Sequence, residues 1–429
     1  MKQILILAYY FPPLGMGGTQ RVAKFVKYLP AFDWFPLVVT VKDIVYYAKD
    51  SSLLQDFGGV KIYRTGSLDP QRLLALFSSR KVKNENHKKS SMSRLWQTLN
   101  KIAAWFLIPD SKVLWLPFAL LRSFHILRHE NIDCILTTSP PHSTQLAGLV
   151  LKKFTRMPWV VDFRDGWSKG NFQKEPTRVH KWLNHILEGW TLKKADAVIG
   201  ISLGLVEKLR MRCPDAPFKF YTITNGFDSD DLKKIKKRGR REKFTMTYCG
   251  TLSAISPVSS FLNSLGQLLN SRPELQDRIM VEFVGQILDS KVVKEIQRLK
   301  LESVVKLTEY VSHTQALEKI VQADLLLYPV ATWASSDFIP GKTFEYLSSG
   351  NRVLALGHWI EGMDILQRAT SVERVSHEDL EAIQQVILKN YSMFQKNSIQ
   401  KGPGCDISKY ERKFLTRELT KILDGLILK

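Results

Sequence analysis

Short apolar runs, each followed by a stretch of helical periodicity, recur along this chain and limit what it can fold into. At the start, "QILILAYYF" is a buried-type strand, "GMGGTQRVAKFVKYLP" begins as a glycine-rich turn and continues as a helix, and "FPLVVTV" is the next strand. The alternation runs on through "DCILTTSPP" (strand), "HSTQLAGLVLKKF" (helix), "PWVVDFRD" (strand), "TRVHKWLNHILEGWTLKKA" (helix) and "DAVIGIS" (strand). Strands separated by helices can pair only in parallel, with helices on both faces, so the pattern predicts a doubly wound sheet.

The alternation is interrupted once. After "FYTITNGFD" comes a charged stretch, Asp228 to Lys243, and then a second β/α series from "FTMTYCGTL" through "IMVEFVG", "VVKLTEYV" and "DLLLYPV". At 429 residues the chain exceeds one ordinary core, and two domains of roughly 200 residues each are expected. The reading is therefore two Rossmann-like β/α/β domains facing a cleft: residues 1–227, a basic linker at 228–243, residues 244–404, and a C-terminal helix at 405–429. Ligands of open α/β sheets sit beyond the carboxyl ends of the strands, where each half offers its loops.

Hydrophobic content of 44% and charged content of 24% suit a soluble globular chain. Cys134, Cys213, Cys249 and Cys405 form no C-x-x-C pair, which argues against zinc or a disulfide framework and suits a reducing cytoplasm. The first apolar run is too short for a signal peptide and breaks at Pro12-Pro13, and no window reaches the length of a membrane span. The charge balance is unusual: 62 basic against 41 acidic residues, a net +21. Such a charge favours an anionic partner. One basic cluster, Arg80 to Lys89, runs into Trp96, Trp105, Phe106, Leu107, Ile108, Trp115 and Leu116, the combination that interfacial attachment to an anionic bilayer needs. No nucleic-acid-binding motif accompanies the charge, so a membrane ranks above nucleic acid.

Several polar groups fall at predicted strand ends. Gly15, Gly17 and Gly18 follow the first strand, where backbone can approach a phosphate, and Arg21 lies one turn into the helix. The spacing is not that of a dinucleotide fingerprint. His142 stands just past a strand in "TTSPPHS", and Asp162, Arg164 and Asp165 close another; the second group reads either as an internal salt-bridge network or as a grip on hydroxyls. "DSD" at Asp228 to Asp230 reads as a solvated loop rather than a cation site. In "DFIPGKTFEYLSSGNRVLAL", a helix begins at Pro340 or Gly341, ends at Gly350, and carries Lys342 and Glu345 on one face. Lys342 suits a diphosphate. Glu345 suits the vicinal hydroxyls of a ribose, or merely complements the helix dipole.

Together "YYFPPLGMGGTQR", "PDSKVLW", "SPPHS", "VVDFRDGW", "NGFD" and "PGKTFEYLSSGNRVLAL" make the chain resemble the retaining glycosyltransferases of family 4, which have the GT-B fold and build bacterial cell-surface polysaccharides. The resemblance implies a nucleotide-sugar donor, a glycan or polyprenyl-linked acceptor, retention of configuration, no metal or other cofactor, domain closure over the donor, and a C-terminal helix at 405–429 that crosses back to the first domain. It implies a cytoplasmic enzyme resting on the inner face of the membrane. Lys342 would hold the diphosphate, Glu345 the ribose and Asp337 the donor sugar, with His142 near the reacting sugar. Gly17, Gly18, Arg21, Gly341 and Thr343 complete the implied donor-binding set. Two departures stand out. The first acidic position is Asp337 rather than Glu, and "YCGTLSAISPVSS" lacks the Arg and Lys expected after the first strand of the second domain. Lys342, Arg164 or Arg21 would have to substitute. The alternatives are a sugar-nucleotide epimerase of the same fold, an NAD-dependent oxidoreductase using Asp43, and a nucleic-acid binder.

Overall fold

A computed structural model describes residues 2–15, 17–44, 49–70, 72–73, 105–168, 176–235, 242–253, 257–398 and 406–428. The basic cluster at 80–89, Trp96, Cys405 and residues 236–241 lie outside them. The chain divides into two compact units, Met1–Thr224 with Arg412–Lys429, and Asn225–Glu411.

The first unit is a parallel sheet of β1 (Lys2–Leu7), β2 (Trp34–Val41), β3 (Lys61–Thr65), β4 (Cys134–Ser139), β5 (Trp159–Phe163), β6 (Ala197–Gly200) and β7 (Phe220–Thr222), ordered β3-β2-β1-β4-β5-β6-β7. Successive strand residues point to opposite faces. Leu5, Leu7, Val39 and Val161 enter one core, while Ile4, Ile6, Val38 and Val160 enter the other. The first core packs against α2 (Leu116–His129) and α3 (Ser143–Thr155), the second against α1 (Gly17–Tyr28). Further along come α4 (Arg178–Lys194) and α5 (Leu203–Arg210). A Cβ on Gly148 of α3 would stand 2.4 Å from the Trp159 indole, so this glycine lets the helix lie directly on the sheet.

The second unit repeats the plan with β8 (Phe244–Cys249), β9 (Ile279–Val284), β10 (Val305–Thr308), β11 (Leu325–Pro329), β12 (Val353–Leu356) and β13 (Val372–Val375), ordered β10-β9-β8-β11-β12-β13. Its helices are α6 (Ser229–Lys233), α7 (Ser259–Ser271), α8 (Ser290–Arg298), α9 (His313–Gln322), α10 (Thr343–Ser349), α11 (Glu361–Leu366) and α12 (Leu380–Gln395). Asp228 of "DSD" is the N-cap of α6, accepting from the Asp230 amide at 3.0 Å, and Asp230 pairs with Lys233.

The final helix, α13 (Arg412–Ile427), belongs to the first unit. Leu415, Leu419 and Leu423, four apart and hence on one face, join Val22, Val26 and Trp34 in its core. Asp424 accepts from the Trp34 indole at 3.0 Å and pairs with Lys2. Among the described residues no helix is long and apolar enough to cross a membrane.

Candidate active site

Each sheet reverses its winding once, between β1 and β4 in the first unit and between β8 and β11 in the second. Loops leaving the two central strands at such a point diverge to opposite faces and leave a crevice.

In the first unit Arg164 closes that divergence. Its backbone N–H and Nε donate to the Ser139 carbonyl at 2.9 and 3.1 Å, Nη1 to the Gly18 carbonyl and Nη2 to the Pro140 carbonyl. The glycine-rich turn and the loop after β4 are thus joined through one guanidinium. A Cβ on Gly18 would stand 2.8 Å from Nη1, so a larger residue there would push the Arg164 fork aside. Gly17 opens α1 and Gly18 is exposed beside it.

The sequence expectation that Arg21 faces an anion needs correcting. Arg21 is fully buried, with Nη2 and Nε donating to Asp162 at 2.7 and 3.1 Å and Nη1 to the Thr224 carbonyl at 2.7 Å. An arginine buried beside a carboxylate commits its donors to that partner. Asp162 also accepts from Thr138 at 2.7 Å. Of the Asp-Arg-Asp cluster, then, Asp162 serves the core and Arg164 ties loops. Burial raises the Asp165 carboxyl to a pKa of about 6, against the pull of Arg164.

His142 follows β4 and is buried, its ring stacked on Trp167 with centroids 5.0 Å apart and planes at 8°. Burial, aided by the charge of Arg164, lowers its pKa to about 3, so the imidazole is neutral at physiological pH. Its Nδ1 meets no hydrogen-bond partner among the described residues, nor do the hydroxyls of Ser139 and Thr144 nearby in sequence. Unmet buried polar atoms of this kind ask for a ligand or water.

In the second unit the loop after β11 leads to α10, a helix of seven residues ending at Gly350, whose φ of 67° only glycine adopts readily. Lys342 is its N-cap residue. The Nζ lies 3.7 Å from the centroid of the Tyr248 ring on β8, and a Cβ on Gly250 would stand 3.2 Å from it. Gly250 has a φ of 142°, a further demand for glycine. Burial pushes the Lys342 ammonium down to about 7, while Cys249 and Glu345 pull the other way. The ring face beneath Nζ favours the charged form as well. Glu345 is half-buried in the first turn of α10.

Asp337 is half-buried on the loop ahead of α10, and Gly341 is exposed with open space around it. Thr343 requires a second correction. It is fully buried and its hydroxyl lies 2.6 Å from Tyr328 Oη, so it is a core group rather than a donor contact. Tyr248 and Gly250 were missed by sequence reasoning. The signal was an aromatic residue two before a glycine at a strand end in "TYCGT". Of the three bases offered for the missing Arg and Lys after β8, Arg21 and Arg164 are committed to their own unit and Lys342 lies against Gly250. Among the described residues no three His, Cys, Asp or Glu side chains form a group able to hold a metal ion.

The aromatic segment also divides. Trp115, expected at an interface, is fully buried and donates to Thr65 at 2.7 Å, whereas Trp105 and Phe106 are exposed. His180 of α4 meets Trp105, ring centroids 6.2 Å apart, and α4 itself exposes Val179, Trp182 and Trp190 among Arg178, Lys181, Lys193 and Lys194.

Residues 96–217 match the model of the glycosyl transferase 4-like domain. Comparison by sequence with curated proteins gives no match. Among solved structures, Anabaena HepE in complex with UDP-glucose is 15% identical, covers 99% of this chain and 100% of its own, and has a TM-score of 0.58. Sucrose-phosphate synthase of Thermosynechococcus elongatus is 12% identical, covers 100% of both chains and has a TM-score of 0.61. A putative UDP-N-acetylglucosamine 2-epimerase of Listeria monocytogenes is 12% identical, covers 99% and 96%, and has a TM-score of 0.53. The fold is GT-B. The domain match and the fold support a glycosyltransferase-type enzyme.

Arg164→Ala is expected to remove the guanidinium donors of the Gly18 and Pro140 carbonyls, the Ser139 carbonyl keeping the backbone N–H of residue 164, and to lower stability by about 2–4 kcal/mol. Hydrogen exchange should rise in both the glycine-rich turn and the loop after β4. Unchanged protection in either loop would remove Arg164 as their tie.

Proposed function

We propose that the chain transfers a hexose, with retention, from a nucleotide-sugar donor to a glycan or polyprenyl-linked acceptor in surface-polysaccharide synthesis. The observation that carries this reading is the Lys342 ammonium against Gly250 and Tyr248, with Glu345 in the same helical turn. As the bond to the sugar breaks, negative charge gathers on the departing diphosphate. A cation already held in a partly desolvated place stabilises that charge without reorganisation. Lys342 takes this role in place of the missing Arg and Lys, and Glu345 accepts from the ribose hydroxyls. Asp337 contacts the donor sugar. His142, neutral and with a free Nδ1, offers a hydrogen bond at the reacting sugar rather than a charge.

The exposed Trp105, Phe106, Val179, Trp182 and Trp190, set among basic residues, support attachment to an anionic membrane on its cytoplasmic side. Aromatic rings seat at the headgroup level while lysines and arginines meet the lipid charge.

A thermal-shift and hydrolysis screen over nucleotide sugars, with NAD and NADP as controls, tests the assignment. Stabilisation by one nucleotide sugar and sugar transfer to an acceptor are expected, and an isomerised nucleotide sugar formed without acceptor would instead make the chain an epimerase. Glu345→Ala should abolish transfer with the melting temperature unchanged; wild-type donor affinity in that variant would sink the ribose role.

Lys342 also predicts a pH dependence. Its folded pKa lies at about 7, so the ammonium of the free protein is lost as pH rises through that value, and anion binding weakens. UDP affinity measured by calorimetry should fall between about pH 6 and pH 9, by up to about tenfold per unit. Lys342→Met should bind UDP weakly at every pH and melt no lower than wild type, because it removes a buried charge. A pH-independent wild-type affinity would refute the role.

Replacing Trp105 and Trp182 by Ser should reduce co-sedimentation with phosphatidylglycerol vesicles, and undiminished sedimentation would dismiss this membrane-facing patch.

A further inference from the structure

A second concentration of positive charge lies in the first unit at the carboxyl ends of β2 and β3. A cavity of about 470 Å³ is lined there by Lys42 just after β2, Arg64 on β3, and Phe118, Leu121, Arg122 and His125 of α2. Its size falls among small-ligand sites, which run roughly 300–1,000 Å³.

The walls are held in place by contacts of the fold. The Lys42 amide donates to the Thr65 carbonyl at 2.8 Å, and the buried Trp115 indole holds the Thr65 hydroxyl at 2.7 Å. Gly66 lets α2 come close, since a Cβ there would stand 3.2 Å from the Phe118 ring. Arg64 is anchored by one Nη2 bond to the Pro12 carbonyl at 2.6 Å, and the Arg122 guanidinium lies 5.6 Å from the Tyr63 ring centroid. Two arginines, a lysine and a histidine thus share one cavity, and among the described residues no Asp or Glu lines it. Burial lowers the pKa of Arg64, and Asp43 opposes this only through its field. An anion in the cavity would offset that desolvation.

We propose that this cavity binds a phosphate or diphosphate ester, its oxygens meeting the Arg64 and Arg122 forks and its organic part lying on Phe118 and Leu121. Planar guanidinium groups match phosphoryl oxygens in pairs, and Lys42 adds a point charge. Arg64, Arg122 and Lys42 are not among the groups assigned to the donor. The ester is therefore a second ligand, and calling it the acceptor rests on the transferase reading, whereas its binding does not.

Calorimetry with inorganic pyrophosphate and with geranyl diphosphate tests the site. It is run on a Lys342→Met parent, so that anion binding in the second unit does not contribute, and on the same protein carrying Lys42→Gln and Arg122→Gln. Both of these side chains are exposed, and matched melting curves check that the fold is kept. The expected result is binding in the parent and an affinity lower by about tenfold or more in the variant. Tighter binding of geranyl diphosphate than of pyrophosphate assigns a lipid-borne ester, and equal binding a soluble one. Equal affinities in parent and variant for both probes, or no binding in the parent, would overturn the proposal. UDP binding by wild-type protein is followed separately, so failure of the donor reading is told apart from failure of this one.

Discussion

Both units depend on a property of parallel sheets: every strand must start from the same end, so each connection has to cross back over a face. When the crossovers change from one face to the other, the loops after the two central strands part. That happens between β1 and β4 and between β8 and β11. His142 follows β4 and Lys342 lies against Gly250 after β8, at these two places, where loop residues approach one another without a helix between them. The rest of each sheet is packed apolar surface, with Ile4, Ile6, Leu5 and Leu7 shared between opposite faces of one strand.

The two reversal points are built differently. In the first unit the cations are consumed: Arg21 by Asp162 and Thr224, and Arg164 by three backbone carbonyls. These bonds replace those lost on leaving water, so the arginines stiffen loops and add little field for a ligand. In the second unit Lys342 rests on the Tyr248 ring and on the space beside Gly250, contacts that tolerate a charge without neutralising it. Its lowered pKa is the mark of a cation whose desolvation is only partly compensated. A diphosphate would complete that compensation, which is why the donor is assigned to this unit.

Much of the fold was legible in the residues. The runs "QILILAYYF", "PWVVDFRD" and "DLLLYPV" are strands because apolar, β-branched and aromatic residues fill a surface buried on both sides, and glycines after β1 and β8 mark the turns there. The candidate site was legible in part. Lys342 and Glu345 share a face by helical spacing alone. Thr343 sits between them in sequence, yet a rotation of about 100° per residue turns it into the core beside Tyr328. Arg21 and Arg164 were both candidates to replace the missing Arg and Lys, and nothing local said that Asp162, 141 positions from Arg21, would claim the first. The cavity of Lys42, Arg64 and Arg122 left no local trace, since its three cations come from three separate elements.

The residues alone set the alternation of strand and helix, the division into two α/β units, and the placing of Lys342 and Glu345 together at the start of α10. These are consequences of periodicity and spacing, which act within a few residues. Only the tertiary structure decided which charges are spent and which remain for a ligand. That depends on desolvation and on partners distant in the chain: a carboxylate for Arg21, carbonyls for Arg164, a ring face for Lys342, and, among the described residues, no carboxylate in the lining around Arg122. The same basic side chain becomes a structural tie or a binding group according to what the fold brings beside it.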